Sequence, residues 1–175
     1  MTWDAYHRRQ DALRDVLALA DRRDEPSLDD LLDTVPGARQ AYPDPDLALL
    51  DAQMAFVQRL RGSVDLALGD DLEDVATERE EIVVRAWAET ADAMPGARAL
   101  LDAAESEGRL AATFQRERAI LAGLAGSTVH GPRLVEHGDR IRRKARRRVT
   151  RRAGDPTDAT VRQGLFGRLR DALAA

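Results

Sequence analysis

The chain has 175 residues, a third of them charged, with a net charge of −4, few aromatics and no cysteine. That length suits one domain with a core of its own and is short for two. The absence of cysteine excludes disulfide staples, thiolate catalysis and zinc–thiolate sites, and the abundance of Ala, Leu, Arg, Asp and Glu is a helix-forming mixture.

No apolar run approaches the roughly 18 residues that cross a bilayer. No apolar signal core follows Arg8 and Arg9, so the expected location is the cytoplasm. The charge is unevenly placed. Residues 1–138 hold 15 basic and 27 acidic groups, a net of −12, whereas residues 139–175 hold 12 basic and 4 acidic, a net of +8. This divides an acidic body from a basic C-terminal segment. Lys144 is the single lysine; the bias to arginine could serve bidentate binding of phosphate or carboxylate, but GC-rich codons are the favoured account.

In chain order, Trp3, Tyr6, Leu13, Val16, Leu17 and Ala20 recur at helical spacing and predict a first helix to about Arg22. Asp24-Glu25-Pro26 breaks it. Ser27 is placed to cap a short helix that turns Leu28, Leu31, Leu32 and Val35 inward. Pro36-Gly37 and Pro43-Asp44-Pro45 punctuate the chain from there to residue 45. Asp46 is expected to cap the clearest helix, which runs to Leu68 with Leu47, Leu50, Met54, Val57, Val64 and Leu68 as its inward stripe and Arg61 among them. After Gly69, Asp70 and Glu73 make a capping-box-like pair. Leu72, Val75, Ala76, Ile82, Val83, Ala86 and Trp87 then face the core, and Trp3 and Trp87 are expected to anchor it. Pro95-Gly96 separates this helix from one bearing Leu100, Leu101 and Ala104. Leu110, Phe114, Ile120, Leu121 and Leu124 mark another, ending at Gly126. No run alternates in the manner of a strand. The fold class is therefore all-α, a helical bundle of about seven helices.

Three short matches recur in the same order. Val35-Pro36-Gly37-Ala38-Arg39 returns as Met94-Pro95-Gly96-Ala97-Arg98. Phe56-Val57-Gln58-Arg59-Leu60-Arg61 resembles Phe114-Gln115-Arg116-Glu117-Arg118 with one residue removed, and Leu66-Ala67-Leu68-Gly69 resembles Gly123-Leu124-Ala125-Gly126. They suggest two related helical units, 1–69 and 70–126, each covering the apolar face of the other.

The basic segment is dense. Of the thirteen residues 140–152, nine are cationic and none is acidic: Arg140, Arg142, Arg143, Lys144, Arg146, Arg147, Arg148, Arg151 and Arg152. Pro132 suits a first helical residue, and Leu134, Ile141, Ala145 and Val149 share a narrow face, so this is a basic amphipathic helix with a thin apolar seam. Four uses compete. The arginines could track nucleic-acid phosphates, lie on anionic lipid, dock on an acidic partner protein, or fold back on this chain's own acidic body or a neighbouring copy. The acidic body repels nucleic acid, no aromatic in the segment could stack on bases, and the seam is too small for membrane insertion. Beyond Gly154-Asp155-Pro156, Val161, Leu165, Phe166, Leu169 and Leu173 predict a last helix capped by Thr157 or Asp158; it could order on a partner, but a closing helix is the favoured reading, so that residues 139–175 pack on the bundle.

Catalytic chemistry is not legible. His7, His130 and His137 lack the one-turn spacing of a metal pair. The Asp70–Asp74 and Glu78–Glu81 clusters lack the alternating ligands and central glycine of a calcium loop and suit helix starts. No phosphate-binding loop, nucleophile elbow or metalloprotease motif occurs. The sequence therefore implies no cofactor and no metal. It points to a non-enzymatic interaction or adaptor protein, oligomeric through its helical faces, whose basic helix docks on an acidic protein surface. Binding of nucleic acid by the same arginines is the alternative, and a small-ligand-binding bundle a further one.

Overall fold

The structure, a computed structural model, describes residues 3–69 and 76–153. Among these residues there are eight helices and no strand: α1 (Trp3–Ala20), α2 (Leu28–Thr34), α3 (Ala38–Ala41), α4 (Pro45–Leu68), α5 (Ala76–Ala93), α6 (Pro95–Ser106), α7 (Ala111–Leu124) and α8 (Pro132–Ala153). They pack as an all-α bundle. The single-turn α3 is the element that periodicity missed. It follows Gly37, which takes a left-handed φ of 77° that favours glycine. The Asp70–Glu73 capping pair with Leu72 and Val75, and the expected closing helix over Val161–Leu173, lie outside the described residues.

Local chemistry starts the helices. The Ser27 hydroxyl accepts the Asp30 backbone N–H at the head of α2. At the head of α4 the cap is Asp44, not Asp46. Pro45 supplies the first helical residue with its preset φ, which moves the cap to an earlier position than expected. Asp44 accepts the Asp46 N–H at 3.0 Å, leaving the Asp46 carboxylate to receive Arg109 Nε at 2.9 Å from the turn before α7. Pro95 opens α6 and Pro132 opens α8 in the same way.

The core has two parts joined by α4 and α6. Ala12, Leu13, Val16, Leu31, Leu32, Tyr42 and Leu49 form one part with Leu100 of α6. Phe56, Leu60, Val64, Val83, Trp87, Phe114, Leu121, Ile141 and Ala145 form the other with Leu101. The expected inward stripe of α4 holds only in part: Val64 is fully buried, and Leu47 and Leu68 pack partly buried against the core. The buried residues are Ala48, Leu49, Ala52, Gln53, Phe56, Leu60 and Val64, whereas Met54 is 58% exposed. α4 is apolar on more than one side, so spacing alone left two faces to choose between, and its packing against α1, α5, α6 and α7 makes the choice. Trp3 is likewise no core anchor. It stands 74% exposed at the first turn of α1, while Trp87 is 1% exposed.

The two Pro-Gly motifs end in different settings. Gly37 turns the chain in the left-handed region, whereas Gly96 lies inside the first turn of α6. There its N–H donates to Asp21 Oδ1 at 2.7 Å, and an added Cβ would lie 2.5 Å from the Ala20 backbone. A second close approach joins α7 and α8: a Cβ on Gly138 would come within 2.8 Å of Arg118 Cα and closer still to its carbonyl.

Candidate functional site

α8 lies across α7 and α5. Ile141 and Ala145 are fully buried, Leu134 and Val149 partly, so the thin seam faces inward as its spacing requires. Cations flank the seam on both sides and meet carboxylates of the body.

On the α5 side, Glu80 receives Lys144 on one oxygen, while its other oxygen lies 3.0 Å from His137 Nε2. The hydrogen bonds from Lys144 and His137 hold the Glu80 carboxyl below its ordinary range. Arg148 pairs with Glu81, and Arg152 donates to Asp92 at 3.2 Å. The Lys144–Glu80 and Arg148–Glu81 pairs are exposed and add little net stability each.

On the other side, Arg142 Nη2 reaches both oxygens of Glu105 at 2.7 Å. Arg118 of α7 donates to Glu105 at 2.6 Å, and Arg146 bridges Asp102 and Glu105. Burial works to raise the Glu105 carboxyl, yet the hydrogen bond and charge of Arg142, with the charges of Arg118 and Arg146, outweigh it and hold the group low.

Beneath these lies a buried cluster. The Glu117 side chain is fully buried and accepts Gln53 Nε2 at 3.0 Å and Trp87 Nε1 at 3.1 Å. Arg98 Nη1 stands 3.6 Å away and Arg142 Nη1 3.9 Å. The Arg98 guanidinium lies over the Phe56 and Trp87 rings, 5.2 and 5.6 Å from their centroids, and pairs with Asp102 at 2.8 Å. Arg142 thus ties α8 into the centre of the bundle as well as to its rim.

The nine basic residues singled out from the sequence therefore divide. Arg142, Lys144, Arg146, Arg148 and Arg152 pair with the body. Arg143 pairs with Asp139 on α8 itself at 2.6 Å. Arg140, Arg147 and Arg151 are exposed and make no ion pair among the described residues. Arg133, seven residues before Arg140, extends their line. At 100° per residue, positions 133, 140, 147 and 151 fall within about 40° of one another over about 27 Å of helix. Around Arg147 and Arg151 a shallow concavity also takes in Arg146 and Thr150. Among the described residues, exposed Glu136 is the one carboxylate of α8 on this outer face.

Sequence reasoning also passed over Gln53, Arg98, Glu105 and Glu117. A signal existed: Glu117 sits three residues after Phe114 and four before Leu121, and Arg98 three before Leu101, all inward phases.

Elsewhere, His7 packs edge-on to Trp3 with centroids 4.4 Å apart, and His130 is exposed. Among the described residues no group of three or more His, Asp or Glu side chains is placed to hold a metal ion, and no helix is long and apolar enough to cross a membrane. No protein-family model, curated protein or solved structure matches the chain.

Proposed function

We propose that this is a non-enzymatic interaction protein that docks on an acidic protein surface with the outer face of α8. The observation that carries the reading is the division of charge along that helix. Its inner and flanking cations are consumed by the body, which holds α8 in one orientation. Arg133, Arg140, Arg147 and Arg151 are left aligned and without an ion pair among the described residues. A preorganised row of guanidiniums suits carboxylate recognition, because the helix is already ordered before the partner arrives. Glu136 on the same face, and Glu81 and Glu89 on neighbouring α5, disfavour a polyphosphate backbone more than a protein surface of mixed polarity.

The test is fluorescence anisotropy of labelled poly-glutamate and labelled duplex DNA, titrated with full-length protein and with the triple variant Arg140→Gln, Arg147→Gln, Arg151→Gln. The wild type should bind poly-glutamate at low salt. The variant should lose that binding with an unchanged circular dichroism spectrum, since these three residues make no ion pair among the described residues to lose. Absence of binding, or equal binding by the variant, overturns the reading. DNA binding whose log K falls with log salt at a slope of about −3.6, with poly-glutamate silent, would transfer the site to nucleic acid.

A further inference from the structure

A second surface, on α1 and α4, exposes several large apolar side chains. Trp3, Tyr6, Met54 and Leu66 are 74%, 47%, 58% and 85% exposed. Tyr6, Met54 and Gln58 line one cleft between α1 and α4, and Trp3 stacks beside Tyr6 with centroids 6.4 Å apart. Arg9 at that cleft is neutralised by Asp51 at 2.7 Å. On α4 the exposed residues Met54, Gln58, Gly62 and Leu66 recur every four positions, which makes them one ridge of the helix surface. The ridge bears no charge in a chain of which a third is charged. Arg59, Arg61 and Asp65 flank it with long or short side chains that can stay in water. Enrichment in aromatics and Met with depletion of charge is the composition of an interface core, and exposed apolar patches of this kind mark contact surfaces.

Gly62 points to the occupant. It lies well inside α4, where glycine weakens a helix relative to alanine. A Cβ there would meet nothing within 4 Å, so no contact among the described residues calls for a glycine. It leaves a notch in the ridge. The ridge positions are spaced evenly about a midpoint at residue 60, so that a two-fold there sets Gln58 opposite the Gly62 notch and Met54 opposite Leu66. Two such ridges crossing antiparallel on a two-fold axis place filler against notch and apolar end against apolar end, the self-complementarity that an isologous contact needs. Two copies meeting on the acidic flank of α5 or the arginine line of α8 would bring rows of like charge together, whereas here the ridges themselves are uncharged and only Arg59 and Arg61, at the flanks, come near their counterparts.

We propose that the α1/α4 face is a homodimer interface, in which the Met54–Gln58–Gly62–Leu66 ridges of two copies cross antiparallel, with Gln58 of each seated at Gly62 of the other. This does not rest on the reading of α8.

Sedimentation equilibrium of the full-length chain from about 1 µM to about 500 µM tests it. A reversible monomer–dimer equilibrium is expected, weakened at least tenfold by Gly62→Leu and by Leu66→Glu. Gly62→Leu should not lower the melting temperature of the dilute protein, because leucine is the better helix former and has room there. A monomer throughout, or a dimer indifferent to both variants, overturns the proposal. Leu66→Cys adds a second readout, since the chain has no other thiol. Maleimide labelling should be fast in dilute solution and slow when concentrated. Slow labelling at every concentration would mean that the chain's own further residues cover the ridge. Fast labelling at every concentration would mean that no second copy does. Either result overturns it.

Discussion

Replacing Glu117 by Gln separates a buried ion network from mere shape. The substitution keeps the volume but removes the charge, and it puts an amide N–H where a carboxylate oxygen now accepts. Gln53 Nε2 and Trp87 Nε1 donate to different oxygens of Glu117, at 3.0 and 3.1 Å. In either orientation of the new amide, one of those donors therefore faces another donor. An unsatisfied buried donor costs about 1–3 kcal/mol. Arg98 and Arg142, with side chains 8% and 7% exposed, also lose the anion 3.6 and 3.9 Å away. Removing one partner of a buried ion pair costs about 3–5 kcal/mol in all, and the two figures overlap because they describe the same loss. With a urea slope of about 2 kcal/mol/M, the denaturation midpoint followed by circular dichroism should fall by about 2 M. Arg98→Met in the same background should cost less than the sum of the two single changes, because the remaining cation is then less in need of its anion. A shift for Glu117→Gln below about 0.5 M at that slope would refute the argument, since it would mean that the carboxylate is not carrying the charges around it.

Acid should loosen α8 in a defined window. Glu80 and Glu105 are held below their ordinary carboxyl value of 4.5, so the unfolded chain takes up their protons first as pH falls. Their contribution is present above pH 4.5 and is lost as pH drops through their depressed folded values; urea midpoints should be level from about pH 5 to 7 and decline below about 4.5. A decline that begins well above that range would assign the transition to other groups. Gly138→Ala should cost at least about 3 kcal/mol, because the new Cβ meets the Arg118 backbone and not a yielding side chain. A midpoint within error of wild type would show that α7 and α8 do not approach as closely as described. Replacing Trp87 by Phe keeps the edge contact to Phe56 but leaves a Glu117 oxygen without its donor, so it should destabilise by about 1–3 kcal/mol, read from the same urea curves.

Sequence periodicity and punctuation were enough to place most helices. Ser27, Pro95 and Pro132 mark helix starts because capping and the fixed proline φ act within a turn, and no distant contact is needed to read them. The same holds for the seam Leu134–Ile141–Ala145–Val149, since α8 is polar everywhere else and offers only one face to bury. α4 shows where this stops. With apolar residues around much of its circumference, either Met54 or Phe56 could have pointed inward, and only the helices packed around it bury Phe56 and leave Met54 in solvent. The fate of the arginines was decided in the same way. Their number and helical spacing are written in the chain, but Lys144 finds Glu80 and Arg146 finds Asp102 across 64 and 44 residues of sequence. Pairing at such separations depends on how whole helices are stacked. Tertiary structure alone could therefore divide a strongly basic helix into cations that fasten it to the body and a row that faces outward.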